Sequence, residues 1–338
     1  MESVEATVGP SIVPFNQRIA VAFVLVMASV IGLFGNSLVI ISVIVTKKLR
    51  TITNILVVNL AFADVFTCAC LPFQVVGLLS RTRAYPLPEI VCDVVAGVVT
   101  TSVFGSVCNL VAIAFVRWYV ITKSIRGHQG LHTPKKFFTL ALIIWVFSTS
   151  AMVIPPVLGI GTLGYSEYYA TCSLRDTNEL EFYYVVLQGS LIAIALLLTF
   201  MFYIRILRHV LRHNQKFRVR YSTEDETGSS PTEVPQNKTS SSTSTGTCPP
   251  MIKVINQKEV EITKNLFLVV CAFMLCILPN VINFLIPGTS VPTLYSIMIL
   301  LVNSVVNPII YGLKHPNFQE AFKKILTCRK EMTMQVST

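Results

Sequence analysis

Apolar residues in this chain are gathered into long blocks, and the polar residues fall mainly between them. The blocks cover about 19–45, 54–80, 90–122, 137–160, 182–204, 262–286 and 291–313. A helix needs about 20 mainly apolar residues to cross a hydrocarbon core of about 30 Å, and each block supplies them. Only helices and closed barrels satisfy every backbone polar group in lipid. Barrel strands would be runs of about ten residues with strict alternation, which these blocks lack. The pattern predicts an all-α membrane protein: a seven-transmembrane helix bundle over 19–313, preceded by a polar segment 1–18 and followed by a tail 314–338.

Polar residues inside the blocks mark the places where chemistry is concentrated. Cys92 and Arg117 stand 25 positions apart in the third block, roughly 37 Å at about 1.5 Å per residue. They therefore lie at opposite interfaces. Ser106 and Asn109 between them share one face, which meets protein and not lipid. An Arg this close to hydrocarbon is either functional or snorkels to the interface. Asn36 lies in the first block. Asp64, in the second, needs a partner, a proton or a cation. Pro72, Pro279 and Pro308 sit within helical blocks and distort them. Beyond Tyr311, the residues Phe318, Phe322, Ile325 and Leu326 share one face opposite Lys323 and Lys324. That is a short amphipathic cytoplasmic helix lying on membrane lipid, with Cys328 beside it as a lipidation site.

Charge then orients the bundle. The 338 residues are 53% hydrophobic and only 13% charged, with a net charge of +10; a soluble domain carries about a quarter charged residues. Basic residues cluster after the first block (Lys47, Lys48, Arg50), after the third (Lys123, Arg126, Lys135, Lys136) and after the fifth (Arg205, Arg208, Arg212, Lys216, Arg218, Arg220). The positive-inside rule makes these loops cytoplasmic and the N-terminus extracellular. Segment 1–18 lacks the basic start and apolar core of a cleaved signal, so the first helix serves as the anchor. No basic stripe lies on a soluble module, which excludes nucleic acid as a partner.

Of the nine cysteines, most lie inside helices, where they behave as small apolar residues. Only Cys92 and Cys172 fall at the oxidising outer edge, where one disulfide would tie the second outer loop to the top of the third helix. Tyr165, Tyr168 and Tyr169 in that loop read either as a lid over a cavity or as an interfacial aromatic belt. Residues 214–258 are rich in Ser, Thr and Pro and are expected to form a disordered cytoplasmic loop, either a kinase target or a spacer.

Asn36, Leu60 with Asp64, Cys92, Arg117, Trp145, Pro279 and the run Asn307-Pro308-Ile309-Ile310-Tyr311 fall in the order and spacing of a known family. The chain resembles the rhodopsin-like (class A) G-protein-coupled receptors from about residue 19 to 328. The stretches GSVCNLVAIAFVRWY, GTLGYSEYYATCSL and NPIIYGLKHPNF are most similar to melatonin receptors, with opsins next. The resemblance implies an outer pocket for a small-molecule ligand, with Val99, Val103, Gln188, Asn280, Asn283, Phe284 and Tyr295 as its candidates. Asn280 and Asn283 could equally serve helix–helix contacts. It also implies an inner cleft for a heterotrimeric G protein, opened by the sixth helix and switched by Arg117, Glu259, Tyr203, Asn307, Pro308 and Tyr311. Kinases and arrestin would act at the Ser/Thr-rich loop. Asp64, Ser106, Asn303, Ser304 and Asn307 would come to one level, as the oxygen ligands of a sodium ion or as a hydrogen-bonded water network.

Several positions depart from the family pattern. The acidic neighbour of the Arg is Val116, the following Tyr is Trp118, and Ile277 stands where a Trp is usual. With no acidic neighbour, Arg117 is left to Glu259, 20 positions before Pro279 and about 30 Å down the helix. This pattern implies either raised basal activity restrained by that pair or a weakly coupled receptor. An amine receptor would carry an Asp at Val99. An opsin would carry a Lys at Leu301, so retinal is excluded. A melatonin receptor would carry an Asn at Val157 and a Gln at Asp176. What remains is a neutral ligand. The rival from another class is a transporter using Asp64 as an ion site, but the chain lacks the internal repeats typical of transporters. No nucleophile–base constellation suggests an enzyme.

Overall fold

The computed structural model describes residues 13–82, 84–122, 134–175, 178–226, 257–285 and 290–327; residues 52, 134, 213–226, 257–263, 266, 284, 285 and 290 are described by backbone alone. Seven helices follow the predicted blocks: α1 (Phe15–Val45), α2 (Ile52–Leu79), α3 (Glu89–Thr122), α4 (Pro134–Val157), α5 (Glu181–Glu226), α6 (Gln257–Leu285) and α7 (Ser290–Lys314). A short α8 (Pro316–Leu326) comes after them. Among the described residues, six helices are long and apolar enough to cross a membrane, and α6 contributes a shorter apolar run, Phe267–Asn283. The turns carry local signals. The Thr51 hydroxyl accepts the Asn54 N–H at 3.4 Å and caps α2, as N-cap threonines do. Pro316 opens α8 at its first turn, where its missing N–H costs nothing.

Within the most apolar windows, 61% of α2 and of α3 is buried, against 22% of α4 and 17% of α5. The first two are thus the axis of the bundle, and the latter two turn mostly toward lipid. Because lipid tails are as apolar as leucine, packing and hydrogen bonds hold such helices together. Close approach is visible where α1 meets α7. A side chain at Gly35 would come within 2.8 Å of the Pro308 ring, so glycine is what lets the two backbones touch. Two apolar clusters form, an inner one around Leu60, Leu110, Ile113, Phe273 and Ile310, and an outer one around Leu25, Leu71, Val95, Val99 and Leu294.

Two features differ from the expectation. The polar loop expected from residue 214 does not begin there, because α5 continues to Glu226. Residues 205–226 are dominated by Arg, Lys, His, Gln and Glu, many of them good helix formers, so the helix outlasts its hydrophobicity; residues 227–256 lie outside the described residues. The second outer loop is a β-hairpin of β1 (Leu163–Ser166) and β2 (Thr171–Leu174), with Tyr165 opposite Cys172.

Candidate functional site

The outer loop is fastened from three sides. Cys92 and Cys172 are disulfide-bonded. Gln74 of α2 clamps the backbone of Cys172: its amide nitrogen donates to the Cys172 carbonyl at 2.8 Å, and its amide oxygen accepts the Cys172 N–H at 2.7 Å. Arg175 donates to Asp93 at 2.8 Å and to Glu89 at 3.3 Å, and the Asp93 hydrogen bond drives the guanidinium's pKa upward. Gly164 passes so close to this ion pair that a side chain there would strike the Arg175 guanidinium. Tyr165 is held against α2 and the connection that follows it. Its ring packs on Tyr85 at 5.6 Å, and its hydroxyl donates to the Gly77 carbonyl at 3.4 Å. Tyr168 and Tyr169 pack edge to face against each other.

The candidate pocket residues are only partly gathered. Val99, Val103 and Tyr295 meet in the outer apolar cluster. The Tyr295 hydroxyl donates to the Gln17 side chain of α1, and the Asn283 amide donates to the Pro292 carbonyl at 3.1 Å, bridging α6 to α7. For Asn283 the helix–helix role is therefore the one observed. Gln188 donates to the Met152 sulfur at 3.5 Å, Asn280 is half-buried, and the Phe284 side chain lies outside the described residues. A groove of about 670 Å³ between α3 and α4 is lined by none of these.

At mid-membrane, the elements α2, α3 and α7 converge on Asp64, which is 0% exposed. Asn307 donates to its Oδ2 at 2.7 Å, and the Ser304 and Ser106 hydroxyls lie within electrostatic reach. Its Oδ1 makes no hydrogen bond among the described residues. Asn303, next to Ser304 in α7, is also buried, but no contact with Asp64 is among those described for it. Asn36 donates to the Gly32 and Ser304 carbonyls, both at 2.9 Å. A second chain runs across α2, α3 and α4. The Trp145 indole donates to Asn59 at 2.9 Å, Asn59 donates to Asn109 at 2.8 Å, and Asn109 donates to the Gly105 carbonyl. Sequence reasoning missed Asn59, Gln74 and Arg175. Asn59 and Gln74 are amides in an apolar block, the signal that singled out Asn36, and Arg175 is a charge three positions from Cys172.

Toward the inner end, Arg117 is 4% exposed beside a buried Val116. The phenol of Tyr203 lies within electrostatic reach of Arg117, and that of Tyr311 within reach of Tyr203. Both phenol oxygens are buried without a hydrogen bond among the described residues. Tyr311 stacks on Phe318 of α8 at 5.4 Å, which fixes the amphipathic helix under the bundle. Trp118 faces Arg205, 5.7 Å from its ring centre. The Glu259 side chain and Cys328 lie outside the described residues.

A seven-helix bundle with a disulfide-tied outer hairpin, a buried Asp–Asn pair and an Arg–Tyr–Tyr group at the inner end is the architecture of a membrane receptor. The sequence profile of the 7 transmembrane receptor (rhodopsin family) matches residues 35–311. The chain belongs to that family, the class A G-protein-coupled receptors, and it is a multi-pass membrane protein that signals to G proteins. Within the family it is similar to the melatonin receptor type 1A of Mus musculus, with 28% identity over 315 residues, covering 90% of this chain and 79% of that one. It is also similar to a GQ-coupled rhodopsin of Mizuhopecten yessoensis, with 29% identity over 310 residues, covering 87% of this chain and 57% of that one. The fold matches the crystal structure of squid rhodopsin with a TM-score of 0.72 at 19% identity, covering 95% of this chain and 89% of that one.

Proposed function

We propose that this receptor sits in the plasma membrane with its N-terminus outside and responds to a small neutral molecule. The observation that carries this reading is the lining of the outer end. Val99, where an amine receptor would place its counter-ion, is buried among apolar side chains with Val103 and Tyr295. A protonated amine there would bury its charge without a partner. Leu301, in the place of the opsin lysine, belongs to the same apolar cluster, so no retinal Schiff base forms at that position. Val157, in the place of a melatonin-receptor Asn, is 77% exposed on the outside of the bundle, while Asp176 lies outside the described residues. The similarity to melatonin receptors therefore brings the scaffold without those two ligand contacts.

Signal transfer then runs through the polar middle to the group of Arg117, Tyr203 and Tyr311. The orphaned Oδ1 of Asp64, with Ser106, Ser304 and Asn307 around it, fits a small hard cation. Sodium held there would stabilise the inactive arrangement and, by reciprocal linkage, lower agonist affinity. Arrestin and kinases would act on the loop beyond Glu226, and α8 would rest on inner-leaflet lipid, with Cys328 as its lipid anchor. The test is G-protein dissociation in cells, first without ligand and then against a panel of neutral metabolites. A dissociation signal that rises with one neutral compound supports the reading. Substrate uptake without dissociation would replace it with the transporter.

A further inference from the structure

We propose that the inner end of the bundle carries a binding site for a phosphomonoester dianion, in a recess between α3 and α5. Trp118 and Thr122, one turn apart on α3, line a space of about 310 Å³ together with Arg205, Arg208, His209 and Arg212 of α5. That volume is at the small end of ligand sites and suits a phosphate with a short polar head. Arg205, Arg208 and Arg212 follow one another at three and four positions, so they form one stripe on a helix face. The stripe runs about 10 Å along the axis. It begins one residue past the apolar block 182–204, at the level where the phosphate groups of a bilayer lie.

Charge and geometry select the occupant. Like charges one turn apart on a helix repel and destabilise it, and these three meet no offsetting charge. From Val94 to Thr122 in α3 and from Phe182 to Arg212 in α5 the sequence holds no Asp or Glu. None of the three arginines pairs with a carboxylate among the described residues. Guanidinium forks match phosphate oxygens two at a time, which ammonium groups do not. A dianion can take two forks at once, so it suits this stripe better than a phosphodiester with its single charge. One fork is already positioned. Arg205 lies 5.7 Å from the centre of the Trp118 ring, within the range of a cation–π contact. Trp118 is braced by Phe202 at 5.7 Å and Phe115 at 6.0 Å, and the Thr122 hydroxyl donates to its carbonyl at 2.7 Å. A Trp at this position is among the departures from the family pattern, so the aromatic wall is particular to this chain. Trp118 follows Arg117, and Arg205 is two positions past Tyr203, which sets the recess beside the switch group. A lipid headgroup would reach it from the bilayer, and a soluble monoester from the aqueous side.

The experiment uses the full chain in phosphatidylcholine nanodiscs, whose two faces are both open, so it does not depend on which end faces the cytoplasm. Phosphatidic acid supplies a monoester on a lipid, phosphatidylglycerol a diester, and glycerol phosphate a soluble monoester. Native mass spectrometry counts retained lipid, and calorimetry titrates glycerol phosphate into discs of phosphatidylcholine alone. One phosphatidic acid per receptor should be held about tenfold more tightly than phosphatidylglycerol, the gain from a further charge-assisted contact. Arg205→Gln and Arg208→Gln should each lose about tenfold. Arg208→Lys keeps the charge without the fork and should recover only part of that loss. Lys47→Gln removes the same charge from the turn between α1 and α2 and should leave retention unchanged. Retention of phosphatidic acid alone supports a lipid headgroup as the ligand, and equally tight binding of glycerol phosphate supports a soluble one. Equal retention of the monoester and diester lipids would reduce the stripe to diffuse surface charge and overturn the proposal. Equal losses in Lys47→Gln and the arginine variants, or no binding of either monoester, would overturn it as well.

Discussion

At the outer end, Cys172 is joined to α3 through its sulfur and to α2 through both of its backbone groups, and Arg175 adds an ion pair to the same helix α3. At the middle and inner levels, by contrast, buried oxygens of Asp64, Tyr203 and Tyr311 make no hydrogen bond among the described residues. The outer end is held in a single arrangement by covalent, hydrogen-bonded and ionic ties between the loop and two helices. The other keeps unpaired polar oxygens in a low-dielectric interior, where leaving them unpaired is costly and a rearrangement that pairs them is favoured. A receptor needs both: a frame that holds a pocket and a half that can switch between two states.

The largest effect should come from the covalent tie. Cys92→Ser removes a bond of the kind worth about 2–5 kcal/mol, and cell-surface antibody staining should collapse to a small fraction of wild type. Gln74→Ala should cost about 2 kcal/mol, because it strips the side-chain partner from both the N–H and the C=O of buried Cys172. The solubilised receptor should melt earlier with its disulfide intact, and Gln74→Glu, which keeps the acceptor, should fall between. Neither change belongs to the switching half, so basal signalling per surface receptor should stay near wild type.

Changes in the other half should do the reverse. Glu259→Ala is expected to raise ligand-free G-protein activation up to about tenfold, the shift that 1.4 kcal/mol gives a two-state equilibrium. Val116→Asp, which returns an acceptor beside Arg117, should lower it. Both are read at matched surface expression. Three equal, background-level readings would favour a weakly coupled receptor. The smallest expected effect is that of Asp64→Asn. It should remove a roughly fivefold difference in agonist affinity between sodium and a large organic cation, the lower range of allosteric coupling. No difference in either protein would leave Asp64 to a water network.

The helices were legible because blocks of apolar residues leave little choice in a bilayer, and the Cys92–Cys172 pair because only those two cysteines share the oxidising side. The end of α5 was not legible, since membrane burial stops near residue 204 while helix propensity carries on to Glu226. The hairpin was hidden because strands of four residues carry too little alternation to register. Asn283 shows the limit at the site. An amide near the outer end of a helix suits a ligand or a neighbouring helix equally well, and only the position of the Pro292 carbonyl decides between them.

The comparison between the two ends is tested most directly by distances within one molecule. Spin labels on unnatural amino acids at Lys264 of α6 and Thr139 of α4 report the inner end, and labels at Leu87 and Glu167 report the outer. On adding a nucleotide-free G protein, the inner distance should lengthen by several ångströms as α6 swings outward, while the outer distance keeps its distribution. An unchanged inner distance, or an outer one that shifts as much, would contradict a fixed outer frame over a switching inner half.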